Sequence, residues 1–337
     1  RIKRLISFSA MSIIIAGTII GNVIADTHES QINAFLCAAV VNNETRNQSL
    51  ELGQTLSKQI VEEGSVLLKN DNNTLPLSLD NDSKVNVFGY GSVEWVYHGE
   101  GSGRVRDENG DESQKIDFIK ALKRYGVSVN DELQDMYLKY KKPEVYVDKI
   151  NSNVIDYVTN PSINDKKFYS DSLLENAKNY SDTAFVIISR HASEGIDASK
   201  TSQIKYNMPD DTTRTYLDLS SEEEELITYV SETYKKVVVI INSTNIMNLS
   251  FLETIPNIGA CMMVGPTGTK GATSVPKLLY GEASPSGKTV DTIAYDFKSN
   301  PNYEFTGSGF INKYTGASGT YRNVNYTDYV EGIYVGY

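Results

Sequence analysis

The sequence predicts an α/β fold, a mostly parallel sheet flanked by helices in a three-layer, flavodoxin-like sandwich, preceded by one N-terminal transmembrane helix. First, apolar strand segments alternate with helical segments from about residue 60 to residue 290. Second, the segments "TAFVII" and "KVVVIIN" are continuously apolar, as strands are when helices cover both faces of a sheet. Third, residues 5–25 carry no charge and follow the cationic "RIKR".

The uncharged run at 5–25 is long enough to cross a membrane. At about 1.5 Å per helical residue it spans roughly 30 Å, the thickness of a bilayer core. The cationic flank predicts that the N-terminus stays inside and that the rest is exported. A cleaved signal peptide is the alternative, and the length of the run favours the anchor. We expect an anchor at 1–26, a juxtamembrane helix or linker at 27–57 and one domain at 58–337.

The first half of the domain is predicted from apolar spacing and from residues that end helices. The segment at 113–126 is amphipathic, and Gly126 is the kind of residue that follows the last turn of a helix. The predicted elements are a helix at 48–68, a strand at 84–90, a helix at 113–126, a strand at 127–129 and a helix at 131–142.

The second half begins with a polar excursion at 143–170 and then returns to alternating elements. Ser220 and Glu223 fit a capping box at the start of a helix. The Gly-, Asn- and Tyr-rich stretch at 296–329 predicts a long loop with short strands. The predicted elements are helices at 170–181, 219–234 and 268–282 and strands at 183–189, 236–242 and 258–265.

Composition excludes several classes of function. The net charge is −11 and there is no basic stripe, so we expect no nucleic-acid partner. Two cysteines make no disulfide framework in a chain of 337 residues. The three histidines show no metal-ligand spacing, and we expect neither a metal nor another cofactor.

The candidate site lies in the loops that follow the strands, because ligands bind beyond the carboxyl ends of strands in open α/β sheets. "SRHASEGIDAS" carries His191, Glu194 and Asp197 directly after an apolar strand. From spacing alone, two solvated loop carboxylates explain this pattern better than a proton donor does. Trp95 and Tyr97 precede the glycine-rich "HGEGSG", and core packing is the alternative to a sugar-stacking role for these aromatic rings. The glycine-rich run lacks the Gly-Lys-Ser/Thr of a P-loop.

Taken together, the motifs resemble the α/β sandwich domain of glycoside hydrolase family 3, over about residues 58–337. They occur in the family's order: "KQIVEEGSVLLKNDNNTLPL", "KVNVFGYGS" with "GEGSGRV", "AFVIISRHASEGIDAS", "LSSEEEELITYV", "KVVVIINSTN", "VGPTGTKGATSVPKLLYGEASPSGKTVDT" and "YTDYVEGIYVGY". The resemblance implies hydrolysis of terminal β-glycosidic bonds with retention. It implies that Glu194 is the general acid/base, although Ser193 and Ala198 stand where the family commonly has glycine and arginine.

The resemblance also implies partners. Tyr97, Trp95, Asp197 and His191 are the expected contacts to an oligosaccharide or β-glycoside substrate. A barrel domain of the same polypeptide, absent from this chain, is expected to supply an aspartate nucleophile and to follow in an inverted domain order. The expected location is the cell membrane, single-pass, with the catalytic part extracellular. Two alternatives stay open: a non-catalytic carbohydrate-binding or scaffold module, and a flavodoxin-like nucleotide or flavin binder.

Overall fold

The structure is a computed structural model that describes residues 2–29, 31–32, 43–99, 114–140, 159–192, 194, 198, 213–303, 313–314, 324–325 and 329–334. The chain divides into two compact units, Arg1–Gly53 and Gln54–Tyr337. The helices are α1 (Ile2–Thr27), α2 (Asn43–Gly64), α3 (Phe118–Tyr125), α4 (Asp131–Lys139), α5 (Asp171–Tyr180), α6 (Ser221–Thr233), α7 (Phe251–Thr254) and α8 (Val275–Leu279). The strands are β1 (Val66–Asn70), β2 (Lys84–Phe88), β3 (Ser128–Val129), β4 (Thr183–Arg190), β5 (Lys236–Ser243), β6 (Ala260–Val264), β7 (Lys313–Tyr314) and β8 (Val324–Asn325).

Helix α1 contains one segment, Ile6–Thr27, that is long and apolar enough to cross a membrane. The hydroxyls of Ser12, Thr18 and Thr27 each donate to the backbone carbonyl four residues earlier. These bonds give three hydroxyl groups of the helix an acceptor within the helix, as an apolar surrounding would require. A signal sequence near an N-terminus can meet the same criteria of length and composition.

Within the described residues, six strands form a mixed sheet in the order β1-β6-β5-β4-β2-β3. All neighbouring strands are parallel except β1, which pairs with β6 in the antiparallel direction. Numbered along the chain, the five parallel strands follow the order 2-1-3-4-5, which is the flavodoxin-like order. The prediction of a mostly parallel α/β sheet is confirmed.

The helix predicted at 48–68 is wrong at its C-terminal end. Helix α2 stops at Gly64, and Val66–Asn70 forms the edge strand β1. β1 pairs with β6 from Val66↔Met263 to Asn70↔Ala260, with an irregularity between Leu67 and Lys69. The apolar residues after Gly64 suit a helix and a strand alike, and β6, nearly 200 residues later, decides between them.

Helices cover both faces of the sheet, as the continuously apolar strands predict. Every residue of β4 is buried. Alternate residues of a strand face opposite sides, so Val186 and Ile188 pack with α4, α5 and α6, whereas Phe185 and Ile187 pack with α3 and α8. At about 1.5–3 kcal/mol for each large side chain fully buried, these two cores supply most of the stabilisation of the domain.

The helix ends follow the local sequence. Asp117 caps α3 by accepting the Lys120 N–H, which is why this helix begins later than its amphipathic pattern predicts. Gly126 ends α3 in the left-handed conformation, with φ of +96°. The predicted capping box of α6 is confirmed, with reciprocal bonds between Ser220 and Glu223. The C-terminal stretch contributes the short antiparallel pair β7–β8.

Candidate active site at the carboxyl edge of the sheet

The strand order reverses between β2 and β4. From β2 the chain crosses to β3 at one edge, then returns past β2 to β4. Open α/β sheets bind ligands at such a switch point, beyond the carboxyl ends of the two strands. The last pair of β2 with β4 is Phe88↔Val186, whereas β4 continues to Arg190. The chain therefore leaves the sheet earlier after β2 than after β4, which extends beyond its last pair with β2.

Gly89 turns the chain out of the sheet directly after β2. Its φ is +94°, and a Cβ there would lie 2.4 Å from the carbonyl oxygen of Ile187 in β4. A side chain is thus excluded both by the backbone conformation and by the close approach of the strands. The Gly89 N–H donates to the Tyr137 hydroxyl at 2.7 Å, and the Tyr90 N–H donates to Asn160 Oδ1 at 2.6 Å. These buried bonds fix the path of the loop.

Asn242 holds the loop after β2 across the end of β5. Its buried side-chain oxygen accepts the Val96 N–H at 2.6 Å, and its Nδ2 donates to the Val96 carbonyl at 3.2 Å. The next carbonyl, that of Tyr97, accepts the N–H of Gly268, which follows β6, at 2.7 Å. One amide side chain and one backbone bond therefore tie this loop to the ends of two further strands.

Trp95 lies in the hydrophobic core. It is 3% exposed, and its ring stacks on Phe118 with centroids 5.7 Å apart and an interplanar angle of 14°. The indole N–H donates to Thr267 Oγ1 at 3.0 Å. This placement favours the core-packing alternative, so Trp95 leaves the set of proposed substrate contacts.

Tyr97 lies at the rim of the same loop and is half-buried. The Lys115 ammonium stands 5.3 Å from the centroid of its ring, a cation–π contact. Two residues further, a Cβ on Gly99 would lie 3.8 Å from the carbonyl oxygen of Ala192. The loop after β2 therefore meets the loop after β4 just before Glu194.

Arg190, the last residue of β4, is engaged inside the protein rather than at the surface. Nη1 and Nη2 donate to the two carboxylate oxygens of Glu223, at 2.8 and 2.6 Å. The remaining N–H groups donate to the carbonyls of Ser189, Tyr216 and Asp218 at 2.7–2.8 Å. Each of the five guanidinium donors thus has an acceptor, which is the condition under which a charged pair tolerates burial.

Tyr216 meets the first residue of the loop after β4. Its hydroxyl accepts the His191 N–H at 2.8 Å and donates to the His191 carbonyl at 2.9 Å. Burial raises the pKa of Tyr216 above its ordinary value of 10.0, against the opposing charge of Arg190. The hydroxyl therefore keeps the proton that it donates. The side chain of His191 is half-buried at this position.

Glu194 lies in a turn, four residues beyond β4, and it is exposed. Asp197 and Ser193 lie outside the described residues. An exposed carboxyl on a loop at the switch point can donate a proton to a ligand that rests against the loop, or accept one from it. Within the described part of the chain, no group of three or more His, Cys, Asp or Glu side chains could hold a metal ion.

Comparison with known proteins identifies the domain. Residues 65–337 match the glycosyl hydrolase family 3 C-terminal domain. The chain belongs to this family. The matched residues include all six strands of the sheet.

Curated relatives of this family 3 domain are longer proteins. Beta-glucosidase A of Butyrivibrio fibrisolvens is 27% identical over 298 residues, which are 84% of this chain and 32% of that protein. A beta-glucosidase of Ruminococcus albus is 29% identical over 279 residues, 82% of this chain and 25% of that protein. The chain thus spans between a quarter and a third of the length of these two relatives.

Solved structures agree on the fold. Beta-glucosidase 3B from Thermotoga neapolitana, in complex with glucose, superimposes with a TM-score of 0.64 at 26% identity, over 86% of this chain and 36% of that one. A beta-glucosidase from Paenibacillus barengoltzii gives a TM-score of 0.56 at 25% identity, over 75% and 25%. The mixed six-stranded sheet with helices on both faces is therefore the architecture of the family 3 domain.

Sequence reasoning missed the residues that hold the two loops of this family 3 domain. The capping box predicted Glu223 at the start of α6, but nothing in the sequence indicated that the same carboxylate neutralises Arg190. A charged residue at the end of an apolar strand was the available signal for Arg190. Asn242 and Tyr216 gave no comparable signal, because their partners are backbone groups of distant segments.

Proposed function

We propose that the full-length protein is a retaining β-glycosidase of the β-glucosidase type, in which this domain supplies Glu194 as the general acid/base. The observation that carries the proposal is the position of Glu194: an exposed carboxyl on the loop after β4, at the switch point of a family 3 domain. The two curated relatives at 27% and 29% identity are beta-glucosidases.

The proposed reaction uses Glu194 twice. In the first step its protonated carboxyl donates a proton to the glycosidic oxygen as the bond to the anomeric carbon breaks. In the second step the carboxylate takes a proton from the water that attacks the glycosyl-enzyme intermediate. The exposure of Glu194 leaves room for another surface to close over it, and loss of water there would favour the protonated form that the first step needs.

Retention requires a second carboxyl roughly 5–5.5 Å from the first. We propose that this nucleophile is an aspartate of a barrel domain that completes the catalytic unit. The lengths of the relatives support this, since the matched region is 32% and 25% of them. The substrate would lie between the barrel and the loops after β2 and β4.

The proposed substrate contacts of this domain are Tyr97, His191 and Asp197. Tyr97 is favoured by its place at the rim of a loop that reaches Ala192. Its ring, already faced by Lys115, has the size and shape to stack on the C–H face of a sugar.

The decisive experiment compares Glu194→Gln with Glu175→Gln in the full-length gene product. Glu175 is also an exposed glutamate, but it lies on α5. We expect Glu194→Gln to lower turnover of phenyl β-glucoside by about 10²–10⁴-fold, the usual contribution of a general acid/base. Added azide, which needs no base to attack the intermediate, restores turnover of an activated aryl glucoside by the Glu194→Ala variant. Glu175→Gln behaves as wild type.

Wild-type turnover in Glu194→Gln would refute the acid/base assignment. If the full-length protein releases no aglycone from any aryl β-glycoside but still binds the sugar, the domain is a non-catalytic carbohydrate-binding module instead. A thermal shift with flavin mononucleotide, without one from glucosides, would favour the flavin-binding alternative.

We also propose that α1 anchors the protein in the cell membrane as a single-pass helix, with the family 3 domain outside. The support is the length and apolar character of Ile6–Thr27 and the cationic residues before it. Carbonate extraction of membranes should leave the protein in the pellet, and external protease should degrade the domain in intact cells. A mature chain that begins after Ala25 would show a cleaved signal peptide instead.

A further inference from the structure

We propose that Tyr216 is a positioning residue for the loop that carries Glu194. The inference rests on the proposed function, because it concerns how the acid/base carboxyl is held. Tyr216 contacts the loop through the backbone of His191, three residues before Glu194, and it belongs to a segment that the sequence did not single out.

The Tyr216 hydroxyl continues the pairing of β4 after the sheet ends. The last pair of β4 with β5 is Arg190↔Ser243, and the Thr244 N–H still donates to the Arg190 carbonyl at 3.1 Å. At His191, one hydroxyl takes over both roles of a neighbouring strand: it accepts the N–H at 2.8 Å and donates to the carbonyl at 2.9 Å. A hydroxyl has one proton and free lone pairs, so it can make both bonds at once.

Tyr216 is itself held rigidly. The Arg190 Nε donates to its carbonyl at 2.7 Å, and the Arg190 guanidinium carbon lies 5.4 Å from the centroid of its ring. Its neighbour Thr215 donates to Asp218 Oδ2 through both its N–H and its hydroxyl, at 2.7 and 2.8 Å. The Asn248 N–H donates to the Leu217 carbonyl at 2.8 Å, which ties the same turn to the segment after β5. Because these contacts hold Tyr216 in place, its hydroxyl can hold the backbone of His191 in a defined position.

The consequence concerns the geometry of proton transfer. An acid/base carboxyl must lie within hydrogen-bond distance of the glycosidic oxygen, and a displacement of about 1 Å can cost up to 10²-fold in rate. The loop that carries Glu194 begins at His191, which we call its stem. The Tyr216 hydroxyl binds both the N–H and the carbonyl of His191, whereas Glu194 lies in an exposed turn. Removal of the hydroxyl should loosen the stem and misplace the carboxyl while the chemistry of Glu194 stays intact.

The test is Tyr216→Phe in the full-length gene product, with leaving-group dependence as the readout. A misplaced acid slows the departure of phenolate far more than that of dinitrophenolate, which leaves without a proton. We expect kcat/KM for phenyl β-glucoside to fall about 10–100-fold and kcat/KM for 2,4-dinitrophenyl β-glucoside to change less than about 3-fold. A purely structural loss lowers both by the same factor.

Tyr280→Phe is the matched control. It also deletes one hydroxyl that donates to a backbone carbonyl, that of Asp82, at 2.7 Å. Asp82 lies just before β2, at the amino ends of the strands and so away from the candidate site. Any stability that it loses should leave the ratio of the two kcat/KM values at the wild-type level. Hydrogen exchange on the wild-type protein gives a measurement that needs no variant: the His191 amide should be protected although it lies beyond the last strand pair.

The outcomes separate this proposal from the proposed function. If Glu194→Gln shows the leaving-group dependence and Tyr216→Phe matches wild type, the positioning role is refuted and the acid/base assignment stands. Equal losses on both substrates, or rapid exchange of the His191 amide in the wild type, also refute it. If Glu194→Gln itself keeps wild-type rates on both substrates, the proposed function and the positioning role are refuted together.

Discussion

The carboxylate of Glu223 neutralises the guanidinium of Arg190 inside the core, with 2.6 Å between Oε2 and Nη2 and side chains that are 1% and 5% exposed. Glu223 also accepts the Ser220 N–H at 2.9 Å as part of the capping box of α6. One carboxylate therefore joins the start of a helix to the end of β4, immediately before the Glu194 loop. The loop therefore begins at a strand end that is held by a buried ion pair.

We expect Glu223→Gln to lower the free energy of unfolding by about 3–5 kcal/mol, because it leaves Arg190 buried without its counter-ion. Glu224→Gln is the control: the neighbouring carboxylate pairs with Arg214, and both side chains are partly exposed. A pair of that kind contributes about 0–1 kcal/mol. Urea denaturation of both variants measures the difference, and equal effects would contradict the expected cost of leaving Arg190 buried without a counter-ion.

Gly89 and Gly126 offer a second matched comparison. Both have positive φ, +94° and +96°, but a Cβ on Gly89 meets the Ile187 carbonyl oxygen at 2.4 Å, whereas a Cβ on Gly126 has nothing within 4 Å. Gly126→Ala should cost about 1–2 kcal/mol of folding free energy, which is the cost of placing an alanine in the left-handed conformation. Gly89→Ala should cost clearly more, since its ψ of 134° lies outside the left-handed region that Gly126 occupies at a ψ of 11°, and since β2 and β4 must separate. Equal losses in chemical denaturation would contradict this expectation.

Asp82 makes stability depend on pH in the acid range. Burial alone would raise its pKa, but bonds from Lys236, Thr183 and the Ser78 N–H hold the pKa below its ordinary value of 3.8. Because the folded-state pKa is depressed, the contribution of Asp82 is complete above pH 3.8 and is lost as the pH falls below that value. Asp82→Asn should therefore cost about 1–3 kcal/mol at pH 7 and less at pH 3. A difference between variant and wild type that does not change with pH would contradict this account.

The sequence predicted the elements whose signals are local. β4 and β5 are continuously apolar, α6 carries its capping box, and Gly126 ends α3, so each could be identified without knowledge of any distant residue. The parallel sheet and the switch point follow from the alternation of such elements. This was sufficient to place Glu194 after a central strand.

The remaining features depend on partners far along the chain. The segment Val66–Asn70 becomes a strand only because β6 lies beside it, and Trp95 becomes a core residue only because Phe118 and Thr267 close around it. Tyr216 reaches His191 across 25 residues, and Asn242 reaches Val96 across 146. No periodicity or spacing encodes contacts of this kind, so the residues that hold the loops of the site could be identified only from the structure.

Substitutions of Trp95 and Tyr97 should have different effects on stability and on KM, because the Trp95 ring is buried in the core and the Tyr97 ring lies at the rim of the loop. Trp95→Phe removes the hydrogen bond to Thr267 and leaves a void beside Phe118, so it should cost about 1–3 kcal/mol of stability with little change in KM. Tyr97→Ala should raise KM for aryl β-glucosides about 3–10-fold through the lost stacking on the sugar, with a smaller loss of stability. Melting temperature and KM are measured on both variants of the full-length gene product. A higher KM in Trp95→Phe at an unchanged melting temperature would restore Trp95 as the sugar contact, and an unchanged KM in Tyr97→Ala would remove Tyr97 from that role.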